Sequence, residues 1–462
     1  MKILLYELNE VPKRLIDYYI KMKPESSFSK ISKKGVVLNT ITKDSGELHP
    51  WSTWPSVHRG VYNNKHNIRY INQDLSNSEK FKPIWEILSN NSIDIGIFGS
   101  LQSYPPLKNK SVKFYLPDTF APSNDAFPKD LKNFQSFNLK MTSENKAISR
   151  RIKFNEIKKF LSLFQKGIIS KKVIFFTALH LLKEKINPKY KSRRPIIQNV
   201  ISFDIFYEKI KQHKPSFCTY FTNHVAGMMH RYWKNLFPED FSLDPKLVDS
   251  FHQKSIISAM DLADRNLGNL LNFADRNNYN IWVISSMGQG AIERGEYIPE
   301  LILRNINKLI IALNLDPKNF ELLPAMQPDY CIKCINKNEL EKLRKALRKL
   351  TFQKDIYVLK ERYEPIGTNI NIFLERSKSV IKNKTIFFNG KEISIDKFGL
   401  EIIIRDKGTG YHIPEGVFIA YGPISNSFEK YKNEIIETSR ICPTILKAFN
   451  IKKFSYMDSS LV

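Results

Sequence analysis

Three short apolar runs that each stop abruptly at polar residues constrain the fold of this chain more than any other feature. The first, Lys2 to Leu8, carries Ile3, Leu4 and Leu5 in succession, as in a strand buried on both faces, and then turns into Asn9 and Glu10. Ser216 to Thr222 ends in the same way at Asn223 and His224, and Asn280 to Ser286 ends in small polar residues. Helical stretches separate such runs. Pro12 to about Met22 follows the first, and Pro245 to Phe273 lies between the last two, with Val248, Phe251, Ile256, Met260, Ala263, Leu267, Leu270 and Leu271 on one face. Further strands are expected over Val36 to Thr42, Ile93 to Phe98 and Val417 to Tyr421, and a helix over Phe81 to Leu88. Alternating strands and helices imply an α/β fold with a central, mostly parallel sheet flanked by helices. In such sheets ligands gather at the carboxyl edge, so residues 7–10 and the strand ends at Asn223 and Ser286 are expected to meet there.

With 462 residues, 42% of them hydrophobic and 26% charged, the chain has enough apolar surface for a large core, and is read as one domain over 1–462 with two elaborations. From 125 to 214 the alternation is interrupted by lysine-rich helical periodicity, which reads as a helical insertion or cap. From 315 to 400 a charged helix (Lys337 to Lys349) and short strands such as IYVLK and NINIF read as a small α+β subdomain. The most apolar stretch, Val173 to Leu182, is bracketed by Lys171, Lys172, Lys183 and Lys185 and is shorter than the roughly 18 residues a membrane helix needs, so it reads as a buried or interfacial helix. Four cysteines do not make a disulfide framework in a chain this long. Cys331 and Cys334 sit on an alternating stretch that sends them to opposite faces, with no second pair nearby for zinc, and read as ordinary buried thiols.

The opening MKILLYELNE turns acidic too early for a secretory signal, which leads to the expectation of a cytoplasmic protein. A net charge of +26 suits an anionic partner: a phosphorylated small molecule or glycan, a membrane surface touched peripherally, or nucleic acid. Aromatic residues at core spacing and the lack of any recognised module weigh against nucleic acid. A compositional bias towards Lys, Asn and Ile would give the same charge without any partner.

Several segments carry a resemblance to a known family. The C-terminal ICPTILKAFNIKKFSYMDSSLV has Pro443-Thr444-Ile445-Leu446 opening a helix and a Met-Asp-x-Ser-Leu ending, and GTGYHIPEGVFIAYGP places His412 among Gly410, Pro414, Gly416 and Gly422. Upstream lie PWSTWPSVHRGVYNNKHNI, YFTNHVAGMMHRYW and NIWVISSMGQG, in that order after KILLYELNE. Together these resemble the alkaline phosphatase superfamily, in the branch of type I phosphodiesterases and nucleotide pyrophosphatases. The resemblance implies metal ligands at His230 and His412. Four positions before His230, where the family has an aspartate, stands Ala226, so Asn223 and His224 are the replacement candidates. Glu7 keeps a carboxylate at the end of the first strand, with Asn9 as the other residue of that neighbourhood.

Where the family places Ser-Asp-His-Gly, this chain has Ser286, Met287 and Gly288, poor ligands for a divalent ion, so a centre with one zinc or manganese is expected. A gapless match from Gly60 puts the nucleophile on Pro50, which leaves Ser52 or Thr53 after a local shift. Arg59, His58, Trp51 and Arg231 are the candidates for binding an anionic substrate. The implied activity is that of a phosphodiesterase- or phosphatase-like hydrolase or transferase acting on a phosphoric ester, within cell-surface polysaccharide or nucleotide-sugar metabolism. The alternative is a non-catalytic anion- or glycan-binding protein on the same fold.

Overall fold

A computed structural model describes residues 1–143, 154–294, 299–326, 329–352, 356–375, 384–403 and 408–462. Two compact units form: Met1–Asn67 with Phe81–Glu293 and Gly408–Val462, and Ile68–Lys80 with Arg294–Lys407.

The first unit is built on β1 (Ile3–Leu8), β2 (Val36–Ile41), β3 (Ile95–Phe98), β4 (Val112–Leu116), β5 (Phe217–Thr222), β6 (Asn280–Ile284), β7 (Gly288–Ala291), β8 (Gly410–Ile413), β9 (Glu415–Tyr421) and β10 (Ile435–Glu437). Eight of these form one sheet in the order β10-β2-β9-β6-β1-β5-β3-β4. Only β9 runs against the rest, so the sheet is mostly parallel. β1 is central, pairing in register with β5 (Glu7 opposite Phe221) and with β6 (Glu7 opposite Ile284). The three polar strand ends therefore emerge side by side at one edge, as expected from the apolar runs.

Because successive residues of a strand face opposite ways, β1 feeds two cores. Leu4, Tyr6 and Leu8 join one apolar cluster with the Lys13–Met22, Arg194–His213 and Ser255–Asn277 helices. Ile3 and Leu5 join the other, with the Pro50–Arg59, Ile84–Asn90 and Ile441–Ala448 helices. Glu7 shares their side of the strand. The Pro50–Arg59 helix starts with Pro50 at its first position, where the missing N–H costs nothing, and stops at Gly60, whose φ of 69° is a left-handed cap.

Some boundaries differ from the sequence reading for local reasons. The helix expected from Pro245 starts at Ser250, because Asp249 accepts the Phe251 and His252 N–H groups and opens a new turn. It is then broken at Lys254 before the long Ser255–Asn277 helix. Within 125–214 the described α-helices are Leu131–Ser143, Phe154–Gln165, Lys171–Ile186 and Arg194–His213, and residues 144–153 lie outside the described residues. The last of these helices belongs to the core, with the Phe206 ring stacked on Tyr220 at 4.6 Å.

In the second unit, Leu359–Glu361, Asn369–Leu374, Asp329–Cys334 and Phe320–Leu323 form an antiparallel sheet in that order, beside the Lys337–Leu347 helix. Its limits are wider than 315–400. Glu300–Leu303 pairs with Leu400–Ile403, and Tyr70 enters from far upstream, stacking on Tyr363 with its hydroxyl donating to the Asn369 carbonyl. Cys331 and Cys334 fall in separate clusters, free and buried, and burial pushes both thiols up to about 12.

Trp282, fully buried on β6, meets Phe418 and Phe428 edge-on at 5.4 Å each. Trp282→Ala should therefore cost about 3–5 kcal/mol, read as a lower urea midpoint at unchanged slope. A loss below about 1 kcal/mol would mean that the sheet does not depend on this contact.

Candidate functional site

At the end of β1 the chain leaves the strand through Asn9 and then Glu10, whose φ of 58° lies in the left-handed region. There the Glu10 carboxylate is buried beneath two imidazoles. His230 comes from the His224–Leu236 helix, and His412 from β8, which pairs with β7 so that His412 lies opposite Gln289. His230 Nε2 is 2.9 Å and His412 Nε2 3.4 Å from Glu10 Oε2, and the two rings are 5.2 Å apart. One ligating atom from each of Glu10, His230 and His412 lies within 4.8 Å of the others.

The surrounding bonds aim these atoms. His230 Nδ1 is 2.9 Å from the Gly410 carbonyl, which can only accept, so Nδ1 carries the proton and Nε2 of the neutral ring is left as a ligand. Asn9 Nδ2 donates to Glu10 Oε1 at 2.8 Å, and the Gln289 amide donates to Oε2. Burial pushes the Glu10 carboxyl up, but His412 and His230 outweigh it and hold the group well below the usual range. Burial lowers His412, and the Glu10 carboxylate, helped by the Leu48 carbonyl and Glu47, raises it overall. Two imidazoles and one carboxylate, with His230 and Glu10 held by outer hydrogen bonds, fit a borderline divalent ion such as zinc.

The start of the Pro50–Arg59 helix adjoins this cluster. Trp54 Nε1 donates to Asn9 Oδ1 at 2.8 Å, tying the helix to the residue that holds Glu10. His49, just ahead of the helix, stacks on Trp51 at 4.5 Å and meets the His412 ring edge-on at 5.7 Å. It is buried, its Nε2 lies 3.5 Å from Glu47 Oε2, and among the described residues neither ring nitrogen makes a hydrogen bond. Tyr411 stacks on His412 at 4.5 Å and its hydroxyl donates to Glu47. Thr53 Oγ1 is 2.8 Å from Ser286 Oγ, both residues buried.

Of the residues singled out from the sequence, His230, His412 and Trp51 come together here, and Thr53 pairs with the end of β6. Others are engaged elsewhere. Glu7 lies in phase with Ile3 and Leu5, so its carboxylate turns under the sheet, 2.7 Å from His58 Nε2 and bonded to the Ser100 hydroxyl. That contact also takes His58 out of reach of substrate. Arg59 is buried among Tyr115, Glu86, Cys442 and Tyr456, and desolvation lowers it to about 10. His224 has both nitrogens in use, Nδ1 on the Thr222 hydroxyl at 2.6 Å and Nε2 on the Ala259 carbonyl at 3.0 Å. Asn223 is exposed and accepts from Asn9. Ser52 accepts from Asn63. Arg231 follows His230 and so projects about 100° round the helix from it.

Sequence reasoning missed Glu10, Gln289 and His49. A signal for the first existed: residues 7–10 belong to the sheet edge, and strand parity assigns Glu7 to a core face. No local signal marks His49 or Gln289.

No protein-family model and no curated protein matches the chain. Solved structures do. Murine ectonucleotide pyrophosphatase/phosphodiesterase 5 aligns over 100% of this chain and 98% of its own, at 13% identity and a TM-score of 0.40. Phosphonoacetate hydrolase from Sinorhizobium meliloti 1021, solved with phosphonoformate, aligns over 91% of this chain and 89% of its own, at 13% and 0.39. A TAB5 alkaline phosphatase variant with magnesium bound covers 98% of both, at 13% and 0.39. All three belong to the alkaline phosphatase superfamily. At these scores they transfer no residue role to this chain, and the α/β assignment rests on the sheet described above.

Burial lowers the His224 pKa to about 4, against about 6.5 when unfolded. The unfolded chain therefore takes up the proton first, so stability present above pH 6.5 is lost as pH falls towards 4, by up to about 3 kcal/mol. His224→Gln keeps a donor and an acceptor but cannot titrate. Urea unfolding between pH 7 and pH 4.5 should show a shallower acid loss in the variant, and parallel curves would refute this.

Proposed function

We propose that this chain is a metal-dependent hydrolase or transferase of phosphoric esters, with one divalent ion, zinc or manganese, held by Glu10, His230 and His412. The observation that supports it most is the convergence of these three ligand atoms within 4.8 Å at the carboxyl edge of a parallel sheet. When bound, such an ion supplies a Lewis acid that neutralises charge on a phosphoryl oxygen. Thr53 is the nucleophile in this reading. Its hydroxyl lies in the first turns of the helix tied to Asn9 and is oriented by Ser286, whereas Ser52 is engaged with Asn63. His49, which meets the His412 ring edge-on and has Glu47 beside its Nε2, would donate to a substrate oxygen in this reading. The stacked surfaces of Trp51, His49 and Tyr411 favour an ester bearing a ring, a nucleotide or a sugar, over a simple alkyl ester.

A non-catalytic anion cleft built on Arg59, His58 and Arg231 is less well supported, because two of its three cations face the interior.

The test is metal analysis of the purified protein beside turnover of nitrophenyl phosphate esters with added zinc or manganese. About one ion per chain is expected, lost in His412→Ala and Glu10→Gln and much reduced in His230→Ala. Asn9→Ala should weaken metal binding about 10- to 100-fold by freeing the Glu10 carboxylate. Thr53→Ala should lose turnover with metal content kept, while Ser52→Ala keeps both. Turnover that survives both histidine substitutions and chelation would disprove the mechanism, and a protein with neither metal nor turnover would return the cleft to simple anion binding.

A further inference from the structure

The Lys171–Ile186 helix is inside out. Most surface helices bury their apolar stripe and expose their charges. This one turns Val173, His180 and Glu184 inward and leaves Phe175, Leu182 and Ile186 at 64%, 55% and 78% exposure. Glu184 is well satisfied: Arg194 donates to both of its oxygens, at 2.8 and 2.6 Å, and His180 Nε2 lies 3.1 Å from Oε1. The orientation is therefore fixed by a buried ion pair, and rolling the helix to hide its apolar side would strand Glu184 and Arg194 without each other.

Spacings of four, three and four residues put Phe175, half-buried Leu179, Leu182 and Ile186 on one stripe of the helix. The same helical geometry places Lys172 and Lys183 along one flank of that stripe and Lys171 and Lys185 along the other. Glu184, the only acidic residue of the helix, faces away.

We propose that this stripe docks the protein on an anionic membrane surface, the helix lying in the plane of the interface with its apolar side chains among the acyl chains and its lysines at the lipid head groups. An apolar stripe flanked on both sides by lysine, on a helix of 16 residues, is suited to lying in an interface. None of the described helices is long and apolar enough to cross a membrane, so the contact is peripheral. A second copy of this chain is a poorer occupant, since two such faces would bring lysines against lysines in a chain of net charge +26. This inference does not depend on the metal centre or on any activity.

The experiment is cosedimentation of the full chain with vesicles of phosphatidylcholine alone or with roughly 30% phosphatidylserine, at low and high salt. Binding is expected with phosphatidylserine only, and it should weaken as salt is raised. It should fall about tenfold or more in the double variant Phe175→Glu with Ile186→Glu, and again when Lys171, Lys172, Lys183 and Lys185 are all changed to Gln. The lysine variant leaves the apolar residues untouched, and circular dichroism of each variant checks that the fold is kept. Leu247→Glu, at a leucine 79% exposed outside this helix, should bind as the parent does. The proposal fails if phosphatidylserine vesicles are not bound, if phosphatidylcholine alone is bound equally well, or if the folded helix variants bind undiminished. It fails equally if the parent self-associates and the double glutamate variant does not, which would make a second copy the occupant.

Discussion

A carboxylate shut away from water is the constraint on which the rest of this site depends. An ionised Glu10 is held at a buried position only because opposite or polarisable partners face it, and in this chain those partners are two imidazoles and two amide N–H groups. Each partner is delivered by a different part of the fold: β1 brings Asn9, β7 brings Gln289, β8 brings His412, and the helix after β5 brings His230. The parallel pairing of β1 with β5 and β6 makes this possible, because it lines up three strand ends at one edge. A cation among Glu10, His230 and His412 would satisfy the same carboxylate more completely than the imidazoles and amides do alone.

The sheet itself was legible in the sequence, since short apolar runs bounded by polar residues and separated by helical stretches fit the strands of an α/β sheet. β1, β2, β5 and β6 lie within a residue or two of where such runs begin and end. Histidines 230 and 412 were legible through their motif surroundings. The carboxylate was not, although the edge residues 7–10 included it. The deciding fact was parity: Glu7 continues the alternation of Ile3 and Leu5 into the lower core, and only the break in strand conformation at Glu10 turns a carboxylate towards the histidines. His224 misleads for a related reason. A histidine at a strand end has ligand chemistry by type, but a hydroxyl two residues before it and a carbonyl of the Ser255–Asn277 helix occupy both its nitrogens. No spacing rule contains that information.

The same distinction separates the cations. Of the groups that composition suggests for anion binding, His58 and Arg59 sit on the inner turn of a helix whose neighbours are Glu7, Trp85, Tyr115 and Cys442. They help hold the helix onto the sheet; they do not line the cleft. None of the described lysines is buried, so the net charge of +26 says little about the cleft.

Two buried acid–base pairs, Glu7 with His58 and Glu184 with Arg194, show how polar groups inside this fold fix orientation. Glu7 ties the Pro50–Arg59 helix to the central strand on the side away from Glu10, His230 and His412, while Trp54 ties the same helix to Asn9 above the edge. Held at both points, the helix has little freedom to roll, and the Thr53 hydroxyl stays opposite Ser286. Glu184 does for its helix what Glu7 does for the other, but with the opposite outcome at the surface: a polar pair takes the inner position, and the apolar residues are left outside. Buried polar pairs usually cost stability relative to apolar packing, so their presence at both places is more readily understood as selecting one face of each helix than as strengthening the core.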